Sequence, residues 1–265
     1  MREIGGAGVL LVAVGLLALA FLLVPILMIF PLSIDPGPML RFPPTGFTLT
    51  WYAQYLSDDR WIASTLLSLR IALSASVLAT VLGTAAAMGF ARGRVVGARA
   101  AALALLSPIV LPSIVTAVAI YGIYSALGLV GTTLGIILAH TVLGVPFVLL
   151  NVGAALRAVP RAYDEAAASL GAAPVTALLI VTLPLVWRGV AAGAVFAFVT
   201  SFDEVVIAMF LSSATAATLP KRMLDGIFYD LTPVLAAISA ILVLFNVALA
   251  LIGLSLMRTD RPAAA

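Results

Sequence analysis

Six apolar runs, each long enough to cross a lipid bilayer, constrain this chain more than any other feature. A spanning helix needs about 20 apolar residues, because each residue advances about 1.5 Å across a hydrocarbon core about 30 Å thick. The predicted spans are residues 8–30, 62–90, 100–127, 133–152, 186–211 and 233–256. The first run is longer than a signal-peptide core and has no convincing cleavage site before Pro31, so we interpret it as a retained anchor. We therefore predict an all-α integral membrane protein with six transmembrane helices, forming a single domain over residues 1–265.

Composition excludes several classes of protein. Hydrophobic residues make up 63% of the chain and charged residues 9%, whereas about 25% is usual for soluble domains. The net charge of +3 is spread out, without the basic run that a nucleic-acid backbone would attract. The chain has no cysteine and one histidine, His140, which excludes disulfides and Cys/His metal clusters. Its single lysine, Lys221, follows a proline instead of a glycine-rich loop, so any ATP used must be bound by another chain.

Basic residues predict the orientation of the spans. With a cytoplasmic N-terminus, the inner side holds nine basic residues and the outer side five, which favours two cytoplasmic termini. The inner set is Arg2, Arg92, Arg94, Arg99, Arg157, Arg161, Arg188, Arg258 and Arg261, and the outer set is Arg41, Arg60, Arg70, Lys221 and Arg222. Residues 31–61 are then an ordered outer connection without a helix. Residues 212–232 are an outer loop that contacts a binding protein, caps a pathway, or is simply solvated.

The inner segment around residues 158–184 has the signals of a separate short helix. Pro160 suits a first helical turn, and Asp164 and Glu165 follow where the helix dipole favours anions. Gly171 and Pro174 favour a stop after about three turns. Small side chains after Glu165 would let this helix lie closely in a partner's groove, although a plain interfacial helix has the same composition.

The spacing within this segment is more specific than its composition. Glu165-Ala166-Ala167, three residues, Gly171, nine residues, Val181, one residue and Leu183-Pro184 resemble the EAA motif of ABC importer permeases. The one departure is Val181 where isoleucine is usual. The resemblance extends to the sixth span, through Leu106–Pro112, His140 with 145–148, and 201–206, and it is closest to the spermidine/putrescine group of type I (MetI-like) permeases.

This resemblance implies both a site and an assembly. Residues 62–257 would be the MetI-like core, and the helix from Arg161 to Leu170 would dock on an ATPase. Its coupling positions would be Arg161, Asp164, Glu165, Ala166, Ala167, Leu170 and Gly171. The partners implied are a homologous permease subunit, two ABC ATPase subunits that bind ATP and Mg²⁺, an extracytoplasmic substrate-binding protein and membrane lipid. This chain itself would hold no cofactor and no metal, would catalyse nothing, and would lie in a bacterial cytoplasmic membrane.

Two adjacent acids in the fifth span are the strongest candidates for a translocation pathway. Placing a carboxylate in lipid costs at least about 2.5 kcal/mol, so such residues normally face a bundle interior or water. A continuous helix would put Asp203 on one face with Thr200 and Ile207, and Glu204 on another. The two acids and Thr200 would form a lining that attracts cations. Alternatively, one acid satisfies a helix end or pairs with Arg70.

Other residues inside the spans suggest packing roles. Arg70 is expected to snorkel toward the headgroups, and His140 to hydrogen-bond between helices instead of relaying protons. Pro108, Pro112 and Pro146 can kink the third and fourth spans, either as part of a gate or as fixed features. Four glycines are interpreted as close helix contacts, namely Gly83, Gly89, Gly189 and Gly193.

The function that the resemblance implies is ATP-driven import, with this chain forming half of the pathway and a polyamine as substrate. A self-sufficient secondary transporter, driven by ions through Asp203, Glu204 and His140, would explain the intramembrane acids but not the EAA spacing. Related permeases also handle γ-aminobutyrate, opines, aminophosphonates, iron or thiamine, so an ABC permease for another small solute is the other alternative.

Overall fold

A computed structural model describes residues 6–93, 95–213 and 216–257, and the structure there is helical, with no β-strand. The helices are α1 (Gly6–Leu27), α2 (Ile29–Ser33), α3 (Thr50–Ser57), α4 (Asp59–Arg92), α5 (Ala98–Val110), α6 (Ser113–Ala126), α7 (Thr133–Arg157), α8 (Ala162–Ser169), α9 (Pro174–Ala177), α10 (Leu183–Phe202), α11 (Val206–Leu211), α12 (Leu219–Tyr229) and α13 (Pro233–Met257). A π-helical turn, Leu178–Thr182, joins α9 to α10.

The helices long and apolar enough to cross a membrane agree with the predicted all-α architecture. Five continuous helical stretches qualify in the described residues, namely Leu10–Ser33, Asp59–Arg92, Thr133–Arg157, Pro174–Phe202 and Pro233–Leu256. The bent pair α5 and α6 makes a sixth span if it is counted as one. The predicted fold class is therefore confirmed, while the internal form of two spans differs from the prediction.

The third predicted span is divided into two helices at Pro112, one of the prolines predicted to kink it. The helical path bends by 111° between α5 and α6. The break lies at Leu111, which has an extended ψ of 139° immediately before Pro112. A proline ring disfavours helical geometry in the preceding residue, which gives the physical cause. By contrast, Pro108 lies inside α5 and Pro146 inside α7, so neither ends its helix.

The fifth predicted span is shifted and also broken. It begins at Pro174 instead of residue 186, and its long helix α10 ends at Phe202. Residues 203–205 separate α10 from the short helix α11. The expected single helix through residue 211 is therefore wrong, and Asp203 and Ile207 do not share one face of a continuous helix.

The chain forms two compact units. One comprises the residues up to Ile62 with Asp225–Phe245, and the other comprises Ala63–Leu224 with the residues from Asn246. In the first unit, the buried Asp35 carboxylate fastens the connection after the first span. Its Oδ1 accepts from the Thr45 backbone N–H at 2.7 Å and from the Thr45 hydroxyl at 2.8 Å. The Thr45 N–H lowers the pKa of Asp35. This connection is ordered as predicted, but it contains helix α3, which the prediction omitted.

In the second unit, close packing of α7 against α4 and α10 forms the core. A Cβ on Gly83 of α4 would lie 2.7 Å from Val148 Cβ, and one on Gly189 of α10 would lie 2.6 Å from Ala155 Cβ. Gly193 is similarly close to Val148, so three predicted glycine contacts are confirmed. Gly89 has open space beside it, and that prediction is wrong. His140 is 1% exposed, and its Nδ1 lies 2.9 Å from Ser201 Oγ, which links α7 to α10 as the packing interpretation expected.

Candidate functional site: the EAA segment and the broken fifth span

The EAA segment folds into helix α8, which is shorter than predicted. It runs from Ala162 to Ser169, about two turns, with Arg161 as its N-cap and Pro160 before the helix. Asp164 and Glu165 lie in the first turn, where the helix dipole favours their charge, as expected. The predicted limits of Arg161 and Leu170, and a Pro160 within the first turn, are corrected accordingly.

Gly171 ends α8 in a Schellman arrangement. Its φ is +86°, in the left-handed region that glycine reaches without steric cost. The Ala172 N–H donates to the Ala167 carbonyl at 3.0 Å, and the Gly171 N–H donates to the Ala168 carbonyl at 2.9 Å. These two bonds satisfy carbonyls that a helix end otherwise leaves without partners. The predicted end of the helix at Gly171 is confirmed.

Polar contacts tie α8 and the segment before it to two membrane-spanning stretches. Asp164 Oδ2 lies 2.9 Å from Arg92 Nε at the end of α4, an ion pair by distance although its angle falls outside hydrogen-bond geometry. Asp164 Oδ1 accepts from the Thr182 hydroxyl in the π-helical turn. Arg161 donates to the Ala91 carbonyl at 2.6 Å. Two predicted coupling residues, Arg161 and Asp164, thus have partners within the chain.

The remaining predicted coupling positions present a different surface. Glu165, Ala166, Leu170 and Gly171 are exposed and Ala167 is half-buried. Leu170 is 89% exposed, so nearly its whole side chain is uncovered in this chain. Within the described part of the chain, the Glu165 carboxylate makes no hydrogen bond or ion pair. Glu165, Ala166, Leu170 and Gly171, which we call the docking face, are therefore available to another protein.

The two intramembrane acids have different environments, because the fifth span breaks beside them. Glu204 Oε2 accepts from the Ile207 N–H at 2.7 Å and lies 3.4 Å from the Ala208 N–H, so its carboxylate caps the first turn of α11. Asp203 is exposed at the end of α10, where the helix dipole disfavours an anion. Thr200 is half-buried one turn earlier.

An amide from the last span holds Asp203. Asn246 Nδ2 on α13 lies 3.1 Å from Asp203 Oδ1 and 3.0 Å from Oδ2, within hydrogen-bond range of both. Sequence reasoning missed Asn246, as it missed Arg92 and Thr182 as partners of Asp164. A lone asparagine among the apolar residues of the sixth span was the available signal, since buried polar groups normally have partners.

Comparison with known families identifies the chain. A family model described as "Binding-protein-dependent transport system inner membrane component" matches residues 79–259. The chain belongs to this family. It is a multi-pass membrane permease subunit of an ABC importer, a transport component and not a catalytic one.

Named relatives cover most of this permease. The putrescine transport system permease protein PotI of Escherichia coli K12 is 30% identical over 234 residues, which cover 86% of this chain and 83% of PotI. The spermidine/putrescine transport system permease protein PotC of Haemophilus influenzae is 28% identical over 215 residues, which cover 81% of this chain and 84% of PotC. The expected membership of the MetI-like, EAA-motif permeases is confirmed.

A solved structure shares the fold. It is a bacterial ABC transporter involved in the import of the acidic polysaccharide alginate, and one of its chains superposes with a TM-score of 0.70. The match covers 98% of this permease and 99% of that chain at 16% identity, so the likeness concerns the fold alone. Family membership favours an ABC importer over the ion-driven secondary transporter considered above.

Proposed function

We propose that this permease is one of two transmembrane subunits of an ATP-driven importer of polyamines such as putrescine and spermidine. The observation that carries the proposal is the EAA segment. It folds as a short helix that polar contacts hold to the rest of the chain, and its docking face is exposed. The relatives named for putrescine and spermidine transport support the substrate class. The assembly comprises a homologous permease, two ATPase subunits that bind ATP and Mg²⁺, and an extracytoplasmic binding protein, with ATP hydrolysis confined to the ATPase subunits.

The docking face engages the ATPase in this proposal. The side chain of Glu165 offers a charge to a basic partner, and Leu170 offers apolar area that water otherwise surrounds. Small side chains at Ala166 and Ala167 allow close approach of a groove. Arg161 and Asp164 act behind this face, through their bonds to the rest of the chain.

The pathway role falls mainly on Asp203. Its carboxylate is exposed at a helix break, whereas the carboxylate of Glu204 is engaged as a cap. An exposed anion on the fifth span suits a cationic amine, and Thr200 adds a hydroxyl one turn away. Glu204 would support the pathway by holding α11 in place.

Uptake by the complete transporter tests the substrate class. Cells that lack their own polyamine uptake, and that express all four kinds of subunit, should accumulate radiolabelled putrescine or spermidine. An ATPase variant unable to hydrolyse ATP should abolish accumulation, and dissipating the proton gradient at constant ATP should not. Import of only γ-aminobutyrate, an aminophosphonate, iron or thiamine by the same cells would contradict the polyamine assignment.

We further propose that both termini are cytoplasmic, in a bacterial cytoplasmic membrane. On the side predicted to be cytoplasmic, Arg92 at the end of α4 donates to the carbonyl of Val159, which follows α7, at 2.8 Å. On the other side, the Gly131 N–H donates to the Leu211 carbonyl at 2.9 Å. These contacts support a consistent alternation of sides along the chain.

Thiol labelling tests this orientation without background, because the chain has no cysteine. Single cysteines at the exposed positions Ser57, Ser169 and Tyr229 should differ in labelling according to the side of the membrane on which they lie. A membrane-impermeant reagent applied to intact cells with a permeable outer wall should label Ser57→Cys and Tyr229→Cys, and should label Ser169→Cys only after lysis. Labelling of Ser169→Cys alone in intact cells would invert the proposed topology.

A further inference from the structure

Helix α8 is attached to its own chain by polar contacts and not by a buried apolar face. None of its residues is buried. A cavity of about 350 Å³ lies beside it, and its lining includes Arg92, Arg161, Asp164, Glu165 and Ala168 together with residues of α9 and the π-helical turn. Apolar packing stabilises a helix only where it removes area from water. The position of α8 therefore depends on the few polar groups that bridge to its neighbours.

The carboxylate of Asp164 joins three elements at one point. Oδ2 faces Arg92 Nε at 2.9 Å, which connects α8 to the last turn of α4, and Oδ1 accepts from Thr182 in the π-helical turn before α10. The exposed fractions of the Arg92 and Asp164 side chains are 15% and 26%, so water screens this pair less than a surface pair. One side chain thereby links the EAA helix to the second and fifth spans together.

Both partners of Asp164 are themselves fixed. Arg92 also donates to the Val159 carbonyl at 2.8 Å, and Arg161 donates back to the Ala91 carbonyl at 2.6 Å. Thr182 is fully buried, in a turn where the Leu183 N–H reaches the Leu178 carbonyl. Such π-helical turns occur frequently at functional sites. The ends of α4 and α10 therefore hold Asp164 with little freedom to move.

We propose that Asp164 is the joint that transmits displacement of the EAA helix to the second and fifth spans. It is a positioning residue, distinct in role from its neighbour Glu165. Movement of the docking face by a partner would shift α8, and the shared carboxylate would shift Arg92 and Thr182 with it. This inference rests on the proposed function. It concerns how a movement that the ATPase imposes on the docking face is passed on within the permease.

The test separates attachment of the ATPase from use of its work. In the complete transporter, Asp164→Ala should retain the ATPase at parental stoichiometry and keep hydrolysing ATP, while substrate imported per ATP falls at least about tenfold. Glu165→Ala should instead lose the ATPase. Ser169→Ala, which removes an exposed hydroxyl bonded to the Glu165 carbonyl, is the control on the same helix and should match the parent.

Two further variants keep the inference testable if Asp164→Ala accumulates poorly. Thr182→Val removes the hydrogen bond to Asp164 Oδ1 with little change in volume, and Arg92→Gln removes the ion pair with Asp164 Oδ2. Each should lower import per ATP, and combining Arg92→Gln with Asp164→Ala should add little, because residues of one network are not additive. Hydrogen exchange in lipid nanodiscs should show faster exchange of residues 162–169 in Asp164→Ala.

Outcomes for the inference and for the proposed function are distinct. If the parental complex imports no polyamine, the proposed function fails, whereas the exchange experiment on the chain alone still tests the joint. If the parental complex imports polyamine, and Asp164→Ala and Thr182→Val import as much substrate per ATP as the parent, Asp164 does not transmit the displacement. Loss of the ATPase from Asp164→Ala to the same extent as from Glu165→Ala would place Asp164 on the docking face and overturn the inference.

Discussion

Replacing Gly171 with tryptophan is expected to lower uptake at least about 100-fold and to release the ATPase from the membrane complex. A 100-fold loss corresponds to about 2.7 kcal/mol of coupling free energy. Gly171 has a φ of +86°, which costs other residues about 1–2 kcal/mol. Apart from Gly171 itself and its two chain neighbours, no atom of the described chain lies within 4 Å of a Cβ built there, so we expect the indole to project from the docking face. Copurification of the ATPase, together with uptake at equal abundance, measures both effects.

Two variants separate bulk from backbone strain at this position. Gly171→Ala introduces the strain without the bulk and should retain part of the uptake. Gly97→Trp is a matched control, because Gly97 also has a positive φ, of +75°, and open space around its Cβ position, but lies outside the EAA segment. Normal ATPase binding and uptake in Gly171→Trp, or equal losses in Gly97→Trp, would contradict the docking assignment.

Neutralising Asp203 is expected to lower the maximal rate of uptake about tenfold or more, with little change in apparent affinity. At 4 Å and an effective dielectric constant of 20, one carboxylate attracts one ammonium group by about 4 kcal/mol. In Asp203→Asn this attraction is lost, while the binding protein still sets the apparent affinity. Initial rates across a range of putrescine concentrations, at equal membrane abundance, measure the two parameters.

Glu204 should behave differently, because its carboxylate caps α11. Loss of a helix cap typically costs about 0.5–2 kcal/mol of stability. We therefore expect Glu204→Ala to lower abundance and thermal stability in detergent, with a near-normal rate per molecule that remains. Glu204→Gln retains a carbonyl acceptor and should be milder. If Asp203→Asn and Glu204→Gln both accumulate and transport like the parent, neither acid acts in the pathway.

Asn246 provides an independent check of the Asp203 geometry. Its amide nitrogen lies within 3.1 Å of both carboxylate oxygens. Asn246→Leu should leave the Asp203 carboxyl group in place but unoriented, so the rate should fall less than in Asp203→Asn. A larger loss in Asn246→Leu than in Asp203→Asn would indicate that the asparagine itself contributes to transport.

Local features of the sequence were sufficient for much of this architecture. Apolar run length identified the membrane-spanning regions because hydrocarbon thickness fixes the length of a spanning helix. The acids of the first turn and Gly171 predicted the start and the turn of the EAA helix, because helix caps depend on residues only a few positions apart. The EAA spacing also indicated the family, which the family match confirmed.

Tertiary structure decided what depends on distant residues. Whether Asp164 faces a partner protein or its own chain depended on Arg92 and on Thr182, which lies 18 residues away. Asp203 and Glu204 have different contacts because α10 ends at Phe202, so that the Glu204 carboxylate meets the start of α11 and the Asp203 carboxylate meets Asn246. A charge in a membrane requires a partner, but sequence spacing specifies that partner only within one helix; between helices, packing determines which groups meet.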